Sequence, residues 1–358
     1  MSFEEDPLHG GDLVSASDRY GIPIEDWTDL STGINPVPYP VGPIPPSVMT
    51  QLPYQRREFE GAVCSYYGRH NWLAVSGSQA AIQALPSWLP ELPALVPDVG
   101  YQEHAYQWLN AGLHIERYPA MAGHAAALTA LDKAINARSA CHLVLIQPNN
   151  PSGLLLSIDH VLDCASRLTD GGCVVADEAF IDTSPGQSLL RAGGDHWPHN
   201  LIVLRSFGKF FGLAGLRLGF IFAAPERLAA IRRLQGPWAV NGPAQWVAQQ
   251  ALKDVAWQTQ ARLGLEQNSA MMQRQLEPLF VRLGATLVAR TSFFHSYLMS
   301  AQNGHALADQ LAEQGILVRV IDENEGLTKG SALIRLGIEG GRLGALKTSL
   351  DCFTRLQS

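Results

Sequence analysis

Between residues 71 and 224, short apolar runs alternate with amphipathic stretches, and no other feature of the chain limits its fold as tightly. The runs are NWLAV (71–75), ALVPD (94–98), HIERYP (114–119), CHLVLIQP (141–148), GCVVADEAF (172–180), LIVLRSF (201–207) and GFIFAA (219–224). Helical patterns at 78–89, 101–111, 126–138 and 157–169 lie between the earlier ones. Runs of Val, Leu and Ile bounded by turn residues read as strands buried on both faces. Their alternation with helices predicts βαβ units and an α/β fold with a mostly parallel sheet. In such a sheet the groups that meet a ligand stand at the carboxyl ends of the strands.

After PERLAAIRRLQG the pattern turns helical over 241–283, with Pro243 suited to a first helical turn. ATLVAR (285–290), FFHSYLMS (293–300), ILVRVI (316–321) and ALIRLGI (332–338) then read as strands, with helices at 304–314 and 341–355. This predicts a smaller α+β unit. The expected division is an N-terminal arm at 1–45 belonging to the small domain, a large domain at 46–250, and a C-terminal small domain at 251–358. The arm, rich in Pro and Gly, reads as irregular. Neither an internal repeat nor a low-complexity tract is visible.

Hydrophobic residues make up 46% of the 358 and charged ones 16%, enough apolar surface to bury a large core. The net charge of −7 argues against nucleic acid as the main partner and leaves room for a local site for a small anion. The opening MSFEEDPLHGG lacks an apolar h-region, and no run reaches the ~20 apolar residues of a membrane span. Five scattered cysteines without a CxxC pair read as reduced thiols, so a cytoplasmic protein is expected. His196 and His199 of HWPH lack a third ligand at suitable spacing, and no metal is expected.

The segment SFGKFFGLAGLRLGF (206–220) sets one amine, Lys209, among aromatic and small residues. A lysine in such company is ordinarily a helix-end side chain with its head in water. Burial, however, favours the neutral amine, a nucleophile toward carbonyls. Ser206 and Arg217 flank it, and a hydroxyl and a guanidinium both suit phosphate. A cofactor with an aldehyde and a phosphate tail, such as pyridoxal 5′-phosphate (PLP), satisfies all three. Such a cofactor needs a carboxylate for its ring nitrogen, and Asp177 ends the strand CVVADEAF; the plain alternative is a helix cap. Glu178 beside it suits a cap or a charge partner. VSGSQAAI (75–82) runs from strand through Gly77, Ser78 and Gln79 into a helix, an anion site by its free N–H groups and dipole. Tyr101 offers a ring to stack on the cofactor, or a core residue. Asn150 in QPNNPSG offers a hydrogen bond to the phenolate oxygen, or a plain turn.

Taken in chain order, GSQ, Tyr101, PNNPSG, DEAF, SFGK and GLAGLRLG resemble the fold-type I PLP enzymes of the aspartate aminotransferase superfamily, and the resemblance spans nearly the whole chain. It implies Lys209 as the covalent attachment point and Asp177 as the partner of the pyridine nitrogen, these two being the catalytic pair. It implies Asn150 at the O3′ oxygen, Tyr101 as the stacking ring, and Gly77, Ser78, Gln79 (through its backbone), Ser206 and Arg217 around the phosphate. A homodimer is implied as well.

Within the superfamily the chain resembles the branch of histidinol-phosphate aminotransferases and L-threonine-O-3-phosphate decarboxylases. The opening LHGG…STGINP is similar to the cobalamin-pathway decarboxylases. DEAF places Phe180 where the aminotransferases usually carry a tyrosine, leaving Asn150 the main donor to O3′. The resemblance therefore implies a lyase acting on a small phosphorylated amino acid, with an aminotransferase as the nearer alternative. A non-catalytic protein of this fold is the farther one, against which the intact Lys209, Asp177 and Arg217 argue. Arg335 in LIRLGI falls at the substrate-anion arginine and Asn35 in the substrate loop. Arg319, His9, Gly10 and Asn150 are further substrate candidates; HGG suits wrapping a phosphate with backbone N–H groups. One departure stands out: family members often carry YPD near 52–54, its Tyr crossing the dimer, whereas this chain reads LPY and has Leu52 there, with Tyr54 two residues on.

Overall fold

A computed structural model describes residues 7–192, 197–341 and 343–357; His196 of the HWPH pair lies outside them. The chain forms two compact units. One holds Pro38–Asn150 and Leu154–Ala261, the other the described residues from Pro7 to Val37, Pro151–Gly153, and the chain from Arg262 onward. The divisions thus fall at 37/38 and 261/262, where the sequence places them at 45 and 250.

The arm is not irregular throughout. It carries a helix, Leu13–Tyr20, and a short strand β1 (Thr28–Asp29). Asp12 caps the helix by accepting from the Ser15 N–H, and Gly21 ends it in a left-handed conformation. Eight residues are too few to hold a helix on propensity. Packing supplies what is missing, with Trp27 and Ala16 buried in a small cluster with Ala312.

The larger unit is built on β2 (Trp72–Val75), β3 (Ala94–Pro97), β4 (Ile115–Tyr118), β5 (His142–Ile146), β6 (Val174–Asp177), β7 (Leu201–Ser206) and β8 (Gly219–Phe222). They order as β2-β8-β7-β6-β5-β3-β4, and only β8 runs against its neighbours. Strands inside the sheet are buried throughout, as covering both faces requires, except at the half-buried Ser206 that ends β7, whereas the edge strand β4 exposes Glu116 and Arg117. Trp108, Val144, Val175, Ile202 and Ile221 belong to its core.

The helical span expected over 241–283 is two helices, Gly242–Ala251 and Val255–Arg282. Asp254 breaks it: its carboxylate accepts from the Trp257 N–H, capping a new start. In the smaller unit, β9 (Thr286–Arg290), β10 (Phe294–Ser300), β12 (Arg319–Ile321) and β13 (Ser331–Gly337) form an antiparallel sheet ordered β12-β13-β10-β9. ILVRVI divides at Val318, because β11 (Ile316–Leu317) leaves that sheet to pair in parallel with β1. Leu276, Phe280, Tyr297, Leu311 and Leu336 are fully buried beneath it, and the Phe280 and Tyr297 rings stack at 3.8 Å.

Two buried polar devices sit in these cores. In the larger unit Arg205 of β7 reaches Asp182 at 2.5 Å and Glu178 at 3.5 Å, and lies over the Tyr67 ring. Glu178 also accepts from the Ser188 hydroxyl and the Leu189 N–H. It is thus a charge partner, not a cap, and burial pushes its carboxyl up to about 6 despite Arg205. In the smaller unit His295 is wholly buried, 3.0 Å from the Ser269 hydroxyl, and burial followed by the Arg290 charge pulls it down to about 4. Replacing Arg205 by Met strands two buried carboxylates, and urea unfolding should record a loss of ~3–5 kcal/mol; a loss below ~1 kcal/mol would contradict this role for the network. His295 titrates lower folded than unfolded, so its contribution is complete above pH ~6.5 and is lost as pH falls toward ~4, on the order of 3 kcal/mol in all. His295→Gln should remove that share of the acid sensitivity, and an unaltered pH profile of stability would refute the assignment.

Candidate active site

The chain leaves β7 at Ser206 and turns at once into the one-turn helix Phe207–Phe210, which carries Lys209. Phe207, Phe210 and Phe211 are buried, Phe207 stacks on Phe211 at 4.4 Å, and Trp257 stacks on Phe211 from beyond at 5.5 Å. This aromatic packing fixes the backbone from which the half-buried Lys209 projects. Its Nζ lies 5.6 Å from the centroid of the Phe180 ring. Phe180 thus presents the amine with a ring face and no hydroxyl.

Three strand ends meet beside it. Ser206 of β7 pairs with Gly219 of β8, which runs beside β2 with Val75 opposite Gly219. A Cβ at Gly219 would lie 2.5 Å from the Ser78 backbone nitrogen, so only glycine lets the strand approach the start of helix Ser78–Trp88. Gly77 caps that helix at φ +76°, where a Cβ would stand 2.8 Å from Arg217 Nη2. Gly77, Ser78, Ser206 and Arg217 are therefore brought together: a helix start with free N–H groups, a hydroxyl and an exposed guanidinium. The Gln79 side chain points elsewhere, accepting from the Tyr101 hydroxyl at 2.8 Å and donating to Glu103 at 2.6 Å.

Asp177, 3% exposed, ends β6 with Oδ1 accepting from the Ala179 N–H and Oδ2 3.1 Å from His104 Nε2. A carboxylate only accepts, so this contact puts the imidazole proton on Nε2. His104 was not among the expected residues. Its signal was the spacing from Tyr101, which puts the two one helical turn apart, their rings edge to face at 6.3 Å. Burial, with Glu103 and Asp177 nearby, raises the Tyr101 phenol well above its ordinary range, so it stays protonated. The two asparagines of QPNN divide their work: buried Asn149 donates to the Val99 carbonyl and ties its own N–H to Leu154, shaping the turn from which half-buried Asn150 emerges.

The smaller unit gathers the remaining candidates. Arg319 on β12 stands directly opposite Arg335 on β13. Arg335 is 6% exposed, lies over the Phe294 ring and donates to the Ser31 carbonyl. Burial and the Arg319 charge pull it down to about 10, which leaves it charged at neutral pH. Arg319 donates to the Leu8 carbonyl at 2.8 Å and to Glu325 at 2.5 Å. The HGG turn packs on the same segment: the Gly11 N–H donates to Ser31 Oγ at 2.7 Å, and a Cβ at Gly10 would collide with the Ser31 carbonyl. His9 is exposed, while Asn35 is buried and accepts from the Val37 N–H at 3.0 Å.

Leu52 is 60% exposed; Tyr54, 67% exposed, meets Trp238 edge to face at 5.8 Å. Among the described residues one group of possible metal ligands converges, Asp132, His160 and Cys164. Arg167 lies against it, 2.5 Å from Asp132 and 3.7 Å from Cys164 Sγ, so a side-chain cation already serves that carboxylate.

The chain matches the family model of aminotransferase class I and II over residues 46–338. It is 42% identical over 323 residues to a threonine-phosphate decarboxylase of Pseudomonas aeruginosa, covering 90% of this chain and 92% of that one. To a protein of the same name from Sinorhizobium sp. it is 35% identical over 321 residues, 88% and 90% of the two chains. Among solved structures, the histidinol-phosphate aminotransferase of Sinorhizobium meliloti in complex with pyridoxal-5′-phosphate is similar at a TM-score of 0.76 and 20% identity, covering 99% of this chain and 97% of that one. That last likeness is one of fold. With the PLP-type motifs assembled as described, the chain belongs to the PLP-dependent aminotransferase class I and II family.

Proposed function

We propose that the chain is a PLP-dependent carboxy-lyase that converts L-threonine O-3-phosphate to (R)-1-amino-2-propanol O-2-phosphate and CO2 in cobalamin biosynthesis. The observation that carries this reading is the pairing of Arg319 and Arg335 on adjacent strands beside the HGG turn. Two guanidiniums suit a substrate with two anionic groups. The 42% identity to a protein named for this reaction supports it.

The residues of the larger unit fit PLP in their donor chemistry, and the absent Cβ atoms at Gly77 and Gly219 let the helix start at Ser78 and the Arg217 guanidinium come close together, as a phosphate site requires. When bound, PLP draws electrons out of whichever substrate Cα bond stands perpendicular to its ring. Lys209 would hold the cofactor's aldehyde carbon. Asp177, fixed by His104, would keep a proton on the pyridine nitrogen. Tyr101 would offer its ring, Asn150 would donate to O3′, and the N–H groups of Gly77, Ser78 and Gln79 with Ser206 and Arg217 would take the phosphate. For the substrate, Arg335 takes the carboxylate, and Arg319, His9, Gly10 and Asn35 serve the phosphate ester. Holding both anions would decide which Cα bond breaks: the one to the carboxylate for decarboxylation, the one to hydrogen for transamination. When not bonded to the cofactor, Lys209 Nζ would be the group that delivers a proton to the substrate Cα.

The reading includes a homodimer in the cytoplasm. Exposed Met49, Leu52, Tyr54, Leu234 and Trp238 supply apolar surface for a second copy. All five cysteines are free, and among the described residues no helix is long and apolar enough to cross a membrane.

Supplied with PLP and L-threonine O-phosphate, the protein should release CO2 without any 2-oxo acid, and Lys209→Ala should lower the rate by ~10^3-fold or more. Turnover that requires 2-oxoglutarate and releases no CO2 would replace this reading with an aminotransferase.

A further inference from the structure

The two arginines of the smaller unit are not equivalent. Arg335 donates to a backbone carbonyl and lies over a ring, with the charges of Asp29 and Glu325 near enough to act on it, whereas Arg319 holds the Glu325 carboxylate directly, at 2.5 Å. Glu325 closes the short turn Glu323–Glu325 that follows β12. Asp322 caps that turn by accepting from the Asn324 N–H, and Gly326 leaves it at φ +100°. The turn thereby carries the Glu325 carboxylate back onto the strand that bears Arg319. The two side chains are 13% and 15% exposed, so the pair is largely withdrawn from water and is not an ordinary surface ion pair. A phosphate approaching Arg319 would meet a guanidinium edge already in use.

We propose that Glu325 is an internal competitor for the anion site at Arg319 and makes the site selective for substrates with two anionic groups. A lone phosphate reaches Arg319 only by displacing Glu325. A substrate whose carboxylate is already anchored at Arg335 presents its phosphate to Arg319 at high effective concentration, and so displaces Glu325 where a free ion does not. Glu325 also holds the Arg319 guanidinium before substrate arrives, which makes it a positioning residue. The inference rests on the phosphoamino-acid reading above.

The test is inhibition of the PLP-loaded enzyme by inorganic phosphate, with L-threonine O-phosphate as substrate. In Glu325→Gln the inhibition constant for phosphate should fall about tenfold or more, and the Michaelis constant of the substrate should fall with it. In the Arg319→Gln background the same Glu325 change should have no such effect, as a double-mutant cycle requires. Arg319→Gln alone supplies a check independent of the Glu325 variant's folding. It should raise the substrate's Michaelis constant about tenfold or more while altering phosphate inhibition less than about threefold, since lone phosphate does not gain Arg319 in the native enzyme. Phosphate inhibition that is unchanged or weaker in Glu325→Gln would overturn the proposal. So would an Arg319→Gln variant that loses phosphate and substrate affinity equally. If the native enzyme does not turn over the phosphate ester at all, the functional reading itself fails; turnover with either contrary inhibition result sinks only the Glu325 inference.

Discussion

A carboxylate withdrawn from water is tolerable only if its charge is met, and the end of β6 buries two in succession. Strand geometry sends consecutive side chains to opposite sides, and the two receive different partners. Glu178 is met by Arg205, Ser188 and Leu189 and belongs to the scaffold. Among the described residues, the Asp177 side chain is met by the His104 imidazole and the Ala179 N–H. A buried carboxylate held this way keeps a strong attraction for one more protonated nitrogen, which is the chemistry a pyridine ring would bring. The scaffold pair makes the functional one possible, because Arg205 anchors the turn that follows Asp177.

Around that carboxylate, close backbone approach does what charge alone cannot. The absence of side chains at Gly77 and Gly219 brings β8 against a helix start and lets Arg217 lie across it. The phenylalanines behind Lys209 fix where its side chain begins. In the smaller unit the same economy recurs, with Gly10 lying against Ser31, whose carbonyl also receives Arg335.

Much of this was legible in the sequence, for physical reasons. Parallel strands buried on both faces write themselves as continuous apolar runs, so β2, β3, β5, β6, β7 and β8 stand where the runs do, and the residues expected around a phosphate converge at the ends of β2, β7 and β8. What escaped notice depends on contacts that composition does not encode. The helix Leu13–Tyr20 lies in a Pro- and Gly-rich arm and gains its stability from Trp27 and Ala312. The break at Asp254 is one side-chain cap inside a helical pattern. His104 matters because tertiary packing turns it onto Asp177. Glu325 carries no motif, and its place on Arg319 is set by a turn whose geometry appears only once β12 is folded.

The central claim is that Lys209, and no other amine, captures the cofactor's aldehyde. Borohydride reduction of the PLP-loaded protein, followed by proteolysis and mass mapping of the pyridoxyl group, tests it directly. The account predicts the label on Lys209. A label on Lys133, Lys253, Lys329 or Lys347, or a protein that retains PLP without any covalent label, would contradict it.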